Sequence, residues 1–455
     1  MNSLKKLHVV VVGSGAAGLS ASWLLSKRHQ ITLLEKAPRL GGHANTELTG
    51  DEQAPQIDTG FIVYNEPCYP NLTRWFADMD VATENSNMSF SVSRDNGNFE
   101  YAGGPPLGLV AQPSLLLSPR FHKMLRDLVR FYREAPSNVP DSPHVTLGEF
   151  LTAGGYSDEF LNDHLLPFAA AIWSSSANTM LDYPAAAFIR FCENHGLLKL
   201  RNRPQWRTVT GGSRNYVDRV AKIIGQQNSQ DTRRHSIKTD FAVDSIERAQ
   251  DYVIIRSESG EQVRADHVVI AAHADQALKM LGQPTDSESK ALGAFSYEPN
   301  QAILHTDSSF MPRRKRAWCS WNYVEEKAVD NKVCVSYWMN RLQNLQSDKN
   351  YFVTLNPSSM PAANTRVCES EYHHPVFNHT AIRAQQQLWD LQGQQRTWFC
   401  GSYFGSGFHE DAIQSGLAVA EQLGDVVRPW ELANPSDRIA VTHRAYERSG
   451  SLEYS

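Results

Sequence analysis

The sequence predicts an α/β fold in which a nucleotide-binding β-α-β unit is interleaved with an α+β region carrying an antiparallel sheet. Three observations carry that prediction. First, apolar residues from Leu7 run into Gly13-Ser14-Gly15-Ala16-Ala17-Gly18; a helical pattern through Leu19, Trp23 and Leu24 follows, then Ile31 to Leu34 and Glu35. Second, the run Asp266 to Ala272 and the run Thr397 to Ser402 have the apolar character of buried parallel strands, far down the chain. Third, short β-rich segments crowded with Trp and Tyr fill Tyr297 to Leu355, the pattern of an antiparallel sheet walling a large apolar cavity.

In the opening unit each glycine has a different task. Gly13 permits the tight turn, Gly15 lets backbone N–H groups approach a pyrophosphate, and Gly18 lets the helix pack close on the strand. The helix N-terminus adds partial positive charge for the phosphates. Glu35 lies 17 residues past Gly18, near the roughly 20 expected of an acid that accepts ribose hydroxyls. Together these make a Rossmann-like dinucleotide-binding unit. Next, Lys36 to His43 contains the pair Gly41-Gly42, which lets the chain pass close to a ligand, and Arg39, placed to meet phosphate. Ile57 to Asn65 reads as one strand interrupted at Gly60, where backbone can approach a flat ring.

From Met88 the pattern changes to short strands (Phe90 to Val92, Asn98 to Tyr101), a proline-punctuated linker, and helices to about Leu200. Pro119 to Glu134 is amphipathic: Phe121, Met124, Leu125, Leu128 and Tyr132 share one face, and basic residues outweigh Asp127 and Glu134 on the other. Basic and amphipathic together suit a membrane surface; a core-facing helix with a solvated side explains the same pattern. The run Arg313-Arg314-Lys315-Arg316 likewise reads as a solvated loop or an anionic-lipid contact. At Trp206 the nucleotide domain resumes, with a helix from Asn215 to Ile224, a strand from Phe241 to Ile246 and a hairpin around Ser259-Gly260. After the last strand, Gly405 to Asp411 leads into a helix to about Leu423, whose first-turn acids Glu410 and Asp411 complement its dipole. The expected division is 1–88, 206–282 and 393–455 for the nucleotide domain, 89–205 for a helical substrate segment and 283–392 for its sheet.

Bulk properties exclude several classes. A formal charge of −5 gives no reason to expect a nucleic-acid partner. The 6 cysteines include no Cys-x-x-Cys pair, which argues for reduced thiols in a cytosolic setting and against structural zinc. Lys5-Lys6 precedes an apolar run that breaks at Gly13, too soon for a signal peptide, and Leu165 to Trp173 is too short to span a bilayer. The expectation is a soluble, cytoplasmic protein, able to touch the inner face of the membrane. His373-His374, followed by Pro375, reads as loop, and no metal-spaced cluster or Ser/His/Asp set is present.

These stretches together resemble the FAD-dependent amine oxidase and phytoene desaturase superfamily, and most closely the bacterial flavoproteins described as predicted NAD/FAD-binding proteins. The resemblance runs from about residue 7 to 425. It rests on the glycine loop with Glu35, Arg39 to His43, Asp58 to Phe61, Val243 to Ile246, Asp266 to Ala272, Ser320 to Tyr323, Thr354 to Pro357, Gly401 and Gly407 to Asp411. It implies a FAD-binding domain of the glutathione-reductase/amine-oxidase type. Gly13, Ser14, Gly15, Ala16, Ala17 and Gly18 would hold the pyrophosphate and Glu35 the adenosine ribose. Lys36, Arg39, Gly41, Gly42 and His43 would line the phosphate and ribityl region, and Val243 would meet adenine. Thr59, Gly60 and Phe61 would flank the isoalloxazine, Gly401 and Ser402 would close on the ribityl chain after the last strand, and the last helix, with His409, Glu410 and Ala412, would aim its N-terminus at the flavin.

Departures from the resemblance shape the expected chemistry. Ser402 stands where many relatives carry an acid, Glu298 to Ala302 lacks the lysine amine oxidases commonly place near the flavin, and Phe408 stands where one tyrosine is expected. The leading expectation is therefore hydride removal from a carbon of a hydrophobic substrate, forming a double bond. A fatty-acyl lipid is implied because relatives often occur alongside enzymes that methylate acyl chains. His409 is the candidate proton acceptor or flavin-facing polarising group; Tyr403 and Trp321 are further candidates with cavity lining as the simpler role. Two other readings are an amine or amino-acid oxidase using oxygen, and a flavin-holding accessory to a lipid-modifying enzyme. No second glycine-rich unit offers NAD(P)H a site, and nothing proposes a covalent flavin link through Cys400 or His43.

Overall fold

The computed structural model describes residues 6–50, 54–103, 106–142, 144–173, 177–225, 235–325 and 334–441. At its centre is a five-stranded parallel sheet, ordered Ser236–Lys238, Gln30–Leu34, His8–Val12, His267–Ile270 and Thr397–Phe399. Val9 to Val12, Ile31, Leu33, Leu34, Val268 to Ile270 and Phe399 are all buried, which explains their unbroken apolar runs: a parallel sheet is covered on both faces. The helix Ala16–Ser26 is buried along its whole length. It packs against the closing helix His409–Gly424, and a Cβ at Gly416 would stand 2.3 Å from the Ala17 carbonyl oxygen. The first and last units of the chain are thus pressed backbone to backbone, and only glycine fits at that crossing.

A seven-stranded sheet forms the second layer, in the order Arg366–Val376, Ser296–His305, Phe352–Leu355, Val335–Trp338, Trp321–Val324, Phe90–Arg94, Phe99–Gly103. It is antiparallel except where Trp321–Val324 pairs with Phe90–Arg94. The two early strands therefore belong to the same sheet as segments over 200 residues away, a pairing that local pattern does not carry.

Three expectations are corrected. His373-His374 is not loop: both lie in the strand Arg366–Val376, and Pro375 is tolerated because this is an edge strand that pairs on one side only. Ile57 to Asn65 is not one strand but Gln56–Asp58 and Tyr64–Asn65. Between them the chain crosses under His43, so close that a Cβ at Gly60 would sit 2.1 Å from the His43 carbonyl oxygen. In the helix Pro119–Glu134, Asp127 faces inward and is buried; it accepts from the Ser157 amide and gathers Arg126 and Arg130 around it. Among the described residues, no helix is long and apolar enough to cross a membrane.

Candidate active site

A cavity of about 900 Å³ runs between the two sheets, at the upper end of the roughly 300–1,000 Å³ common for cofactor and small-molecule sites. One end opens at the carboxyl ends of the parallel strands, where doubly wound sheets bind their ligands. Here the three glycines separate by task. Gly13 has φ +98° and a Cβ there would lie 2.7 Å from the Ala271 carbonyl oxygen; at Gly18 the corresponding distance to the Gly13 carbonyl oxygen is 1.9 Å. Gly15, the residue that begins the helix, meets nothing within 4 Å. Two glycines are sealed by packing and the third faces open space at a helix N-terminus, which is the room a dinucleotide's phosphates need. The site therefore fits the implied group.

Glu35 sits at the lip of this end and is buried. Its carboxylate accepts from the Ser14 amide (2.9 Å), the Ser14 hydroxyl (2.6 Å) and the Ala37 amide (2.9 Å). Arg39 reaches the cavity too, and its Nη1 donates to the Gly42 carbonyl (3.0 Å), bracing the turn. Gly42 (φ +57°) lies against the glycine loop: a Cβ there would be 3.2 Å from Gly15 Cα. Ser14, Ala16, Ala17, Lys36, His43, Thr59, Gly60, Phe61, Val243, Gly401, Ser402 and Ala412 all line the cavity as expected.

Three expected contacts do not line it. Gly18 is spent on helix packing, and Gly41 (φ +108°) forms the turn against Ala44. Glu410 points away from the cavity. Its carboxylate accepts from the Asn71 amide (2.9 Å), Asn71 Nδ2 (2.8 Å) and the Leu72 amide (3.0 Å). It thereby caps the start of the helix Pro70–Asp78, so the acid complements a neighbouring helix dipole rather than a ligand. Asp411 accepts from the Ser406 and Phe408 amides (3.0 and 2.8 Å), with Arg438 3.4 Å away.

The catalytic candidates divide in the same way. His409 is stacked on Phe61 (ring centroids 3.7 Å apart, 13° between planes), and its Nε2 lies 3.1 Å from the Tyr216 hydroxyl. Burial, then the nearby His43, pulls its pKa down to about 3. A neutral imidazole stacked on Phe61 is poorly suited to taking a proton and well suited to fixing the position of that ring. Tyr403 lines the wall against Phe295 and Phe404; burial holds its phenol protonated, and the hydroxyl has no hydrogen-bond partner among the described residues. Trp321 packs edge-on to Tyr337 at 5.2 Å.

His273, His374 and Tyr372 also belong to the site and escaped sequence reading, whereas His43 was expected there. His43, His273 and His374 gather on one wall, with ring centroids 6.0 Å (His43 to His273) and 5.6 Å (His43 to His374) apart. Burial first, then mutual repulsion with neighbouring cations, lowers them to about 4, 3 and 3 respectively. His273 was findable, since it directly follows the strand end His267–Ile270 and its Ala271-Ala272 extension; His374 was hidden by the false loop. Tyr372 joins Thr59 (2.6 Å) and Asn45 (3.0 Å) behind them.

The far end of the cavity is apolar. Met88, Ile172, Trp173, Phe191, Leu197, Trp206, Trp321, Tyr337, Leu355 and Phe408 wall it. Its one titratable imidazole, His195, is held by the Phe191 carbonyl (2.9 Å) and Arg438 (3.3 Å), and burial pulls it down to about 3. The charged lining residues all lie elsewhere in the sequence: Glu35, Lys36 and Arg39 follow the glycine loop, Asp244 and Glu258 belong to the hairpin beginning Val243–Arg248, Lys279 to the helix Ala274–Met280, and Glu371 to the edge strand, paired with His373.

Comparison with known proteins adds the family. A family described as flavin containing amine oxidoreductase matches residues 16–341. The chain is 24% identical over 322 residues to an L-amino-acid oxidase of Siganus canaliculatus, covering 66% of this chain and 57% of that protein. It is 21% identical over 274 residues to the flavin-containing amine oxidase A of Equus caballus, covering 58% and 49%. The chain thus spans about half the length, or less, of the curated relatives it matches. Among solved structures, a fatty acid isomerase from P. acnes that produces CLA superposes with a TM-score of 0.64 at 13% identity, covering 91% of this chain and 98% of that one. Cyclohexylamine oxidase from Brevibacterium oxydans superposes with 0.65 at 17%, covering 92% and 100%. At these identities the likeness is one of fold.

Proposed function

The chain belongs to the flavin containing amine oxidoreductases, and from that premise we propose that it dehydrogenates an apolar, uncharged substrate such as a fatty-acyl chain: one carbon loses a hydride, its neighbour loses a proton to solvent, and a double bond forms between them. The family is FAD-dependent, and FAD when bound supplies the two-electron acceptor for hydride from carbon. The protein's task is to hold and orient. In this reading the amides of Gly13 to Ala17 and the following helix N-terminus hold the pyrophosphate, Glu35 the ribose, and Val243 the adenine. Phe61 and His409 form one side of the ring pocket, and the N-terminus of the closing helix favours negative charge there.

The observation that carries the proposal is the apolar end of the cavity. An amino-acid substrate brings a carboxylate that needs a cation, and a protonated amine needs an acid or an aromatic cage. The walls from Met88 to Phe408 offer neither a cation nor a carboxylate, and their imidazole is held neutral; their aromatics would give an ammonium a cation–π attraction of about 2 kcal/mol, short of the several kcal/mol its burial costs. Burying an unpaired charge there would cost several kcal/mol, on the order of what abolishes binding, whereas a methylene chain gains about 0.8 kcal/mol per buried CH₂. That the fold is shared with a fatty acid isomerase supports the reading as well.

A second reading is oxidation of a small apolar amine that binds uncharged, which the family description and the fold of cyclohexylamine oxidase favour. Both are tested on flavin-loaded protein under anaerobic conditions, by following flavin absorbance as fatty-acyl lipids or a panel of amines and amino acids are added. Bleaching by acyl lipids upholds the proposal. Bleaching by amines alone, with hydrogen peroxide released on admitting air, replaces it with the second reading. Flavin that stays oxidised with both sets refutes both and leaves an accessory, flavin-holding role.

A further inference from the structure

The two basic stretches of the chain, 193 residues apart between Arg120 and Arg313, are brought side by side by the turn Asp95–Gly97. Arg120 Nη1 binds Asp95 (2.6 Å), and its guanidinium lies over Phe99. From the other side the Arg313 side chain covers Gly97, and Arg314 binds the Gly97 carbonyl and Glu100 (2.9 Å to the carboxylate). Gln112 Nε2 ties the same turn, through the Asn98 carbonyl (2.8 Å), to Ser114 (3.0 Å) in the short helix Pro113–Leu117.

That helix presents two leucines to solvent. Leu117 is 87% exposed and Leu116 48%. They are held there rather than loosely placed: Leu115 between them and the core is buried with Phe121 and Met124, the Ser118 amide donates to the Leu115 carbonyl (2.9 Å), and the His122 ring meets the Leu116 carbonyl (2.7 Å). Lys123 and Arg126 follow on the next helix, and Arg313, Lys315 and Arg316 lie on the loop that covers Gly97 in the turn to which Gln112 ties this helix; all five are exposed. Among the described residues, Asp95, Glu159 and Asp127 answer Arg120, Lys123 and Arg126, and Glu100 answers Arg314, while Arg313, Lys315 and Arg316 have no carboxylate partner.

We propose that this surface, a fixed pair of exposed leucines beside a basic cluster in which Arg313, Lys315 and Arg316 lack a carboxylate partner among the described residues, docks on an anionic lipid bilayer. A protein of net charge −5 is repelled by such a surface except where charge is locally reversed, so the patch also sets the orientation of approach. Nucleic acid or an acidic protein would use the cations but give the protruding leucines nothing to enter; acyl chains use both. The inference does not depend on the flavin reading.

The test is flotation of the whole chain with vesicles of phosphatidylcholine, alone or with about a third phosphatidylglycerol. Binding to the second and not the first, falling with salt, is expected. The double change Lys315→Glu and Arg316→Glu should weaken it by roughly fivefold per charge or more, and Leu116→Ser with Leu117→Ser by about tenfold. Both pairs are exposed, so thermal melts of the variants should match the parent. Protein left behind by both vesicle types overturns the proposal. So does binding to phosphatidylglycerol vesicles that the leucine change leaves untouched, which would make the patch a simple polyanion site.

Discussion

Gly15 and Gly18 lie one turn apart in the same loop, and the structure predicts opposite consequences for the same substitution. At Gly18 a Cβ would stand 1.9 Å from a backbone carbonyl oxygen and 3.1 Å from the Ala271 side chain. Neither neighbour is a flexible side-chain end, so the buried helix must lift from the sheet by more than 1 Å to reach ordinary contact, an estimate from packing geometry. Overpacking of this kind costs about 3 kcal/mol, or a fall of about 3 °C in the melting temperature for a chain of 455 residues. At Gly15, φ is −66° and ψ 179°, which alanine adopts freely, and nothing lies within 4 Å. Gly15→Ala should melt within about 1 kcal/mol of the parent, the scale of an exchanged helix cap. Its methyl, however, projects into the space assigned to the phosphates, where overpacking of about 1–3 kcal/mol becomes a loss of roughly 5- to 150-fold in flavin affinity. The assays are thermal denaturation of the apoprotein by circular dichroism and titration with FAD by flavin fluorescence. Flavin affinity undiminished in a normally melting Gly15→Ala protein would refute the phosphate assignment; a Gly18→Ala protein as stable as the parent would refute the packing argument.

Three further outcomes are expected. Glu35→Ala should lower flavin content on purification and also leave the buried Ser14 amide without its acceptor, a cost of about 1–3 kcal/mol seen in the apoprotein melt; unchanged flavin content would count against the ribose assignment. Glu410→Ala removes the acceptor of Asn71 and Leu72 and should destabilise by about 3 kcal/mol while the flavin spectrum of the remaining folded protein stays as in the parent; a shifted spectrum at unchanged stability would reverse our reading of this residue. His43, His273 and His374 are lowered to about 3–4 by burial, so between that range and about 6.5 the unfolded chain binds more protons than the folded one. Their contribution is therefore intact above about pH 6.5 and lost as pH falls towards 4. Asp58, raised to about 6 by burial, acts in the opposite sense, gaining stability as pH falls from about 6 to 4, but the buried imidazoles, His195 and His409 also among them, outnumber it. Acid titration followed by near-ultraviolet circular dichroism should show a net loss over this window, shallower in His374→Gln; a flat profile would mean that these imidazoles are solvated.

Much of this protein was legible locally. The strand, glycine turn, helix, strand and acid from His8 to Glu35 stand where the pattern put them, because each residue there is fixed by neighbours within a few positions or by burial on both faces of a parallel sheet. The same holds for His267–Ile270 and for the closing helix after Gly407. What local pattern missed was decided by contacts between distant segments. His373-His374 looked like loop because a proline followed; only the strand's place at the sheet edge makes that proline harmless. Glu410 looked like a ligand or an ornament of its own helix, yet Asn71 and Leu72, more than 300 residues earlier, claim its oxygens. Asp127 looked solvent-facing until the Ser157 amide was placed against it. Sequence determines which residues turn, pair and bury, since those preferences act over one or two turns of chain. Which charged or aromatic side chain reaches the cavity, and which is consumed holding two elements together, depends on what the fold sets opposite it, and that is settled only by tertiary packing.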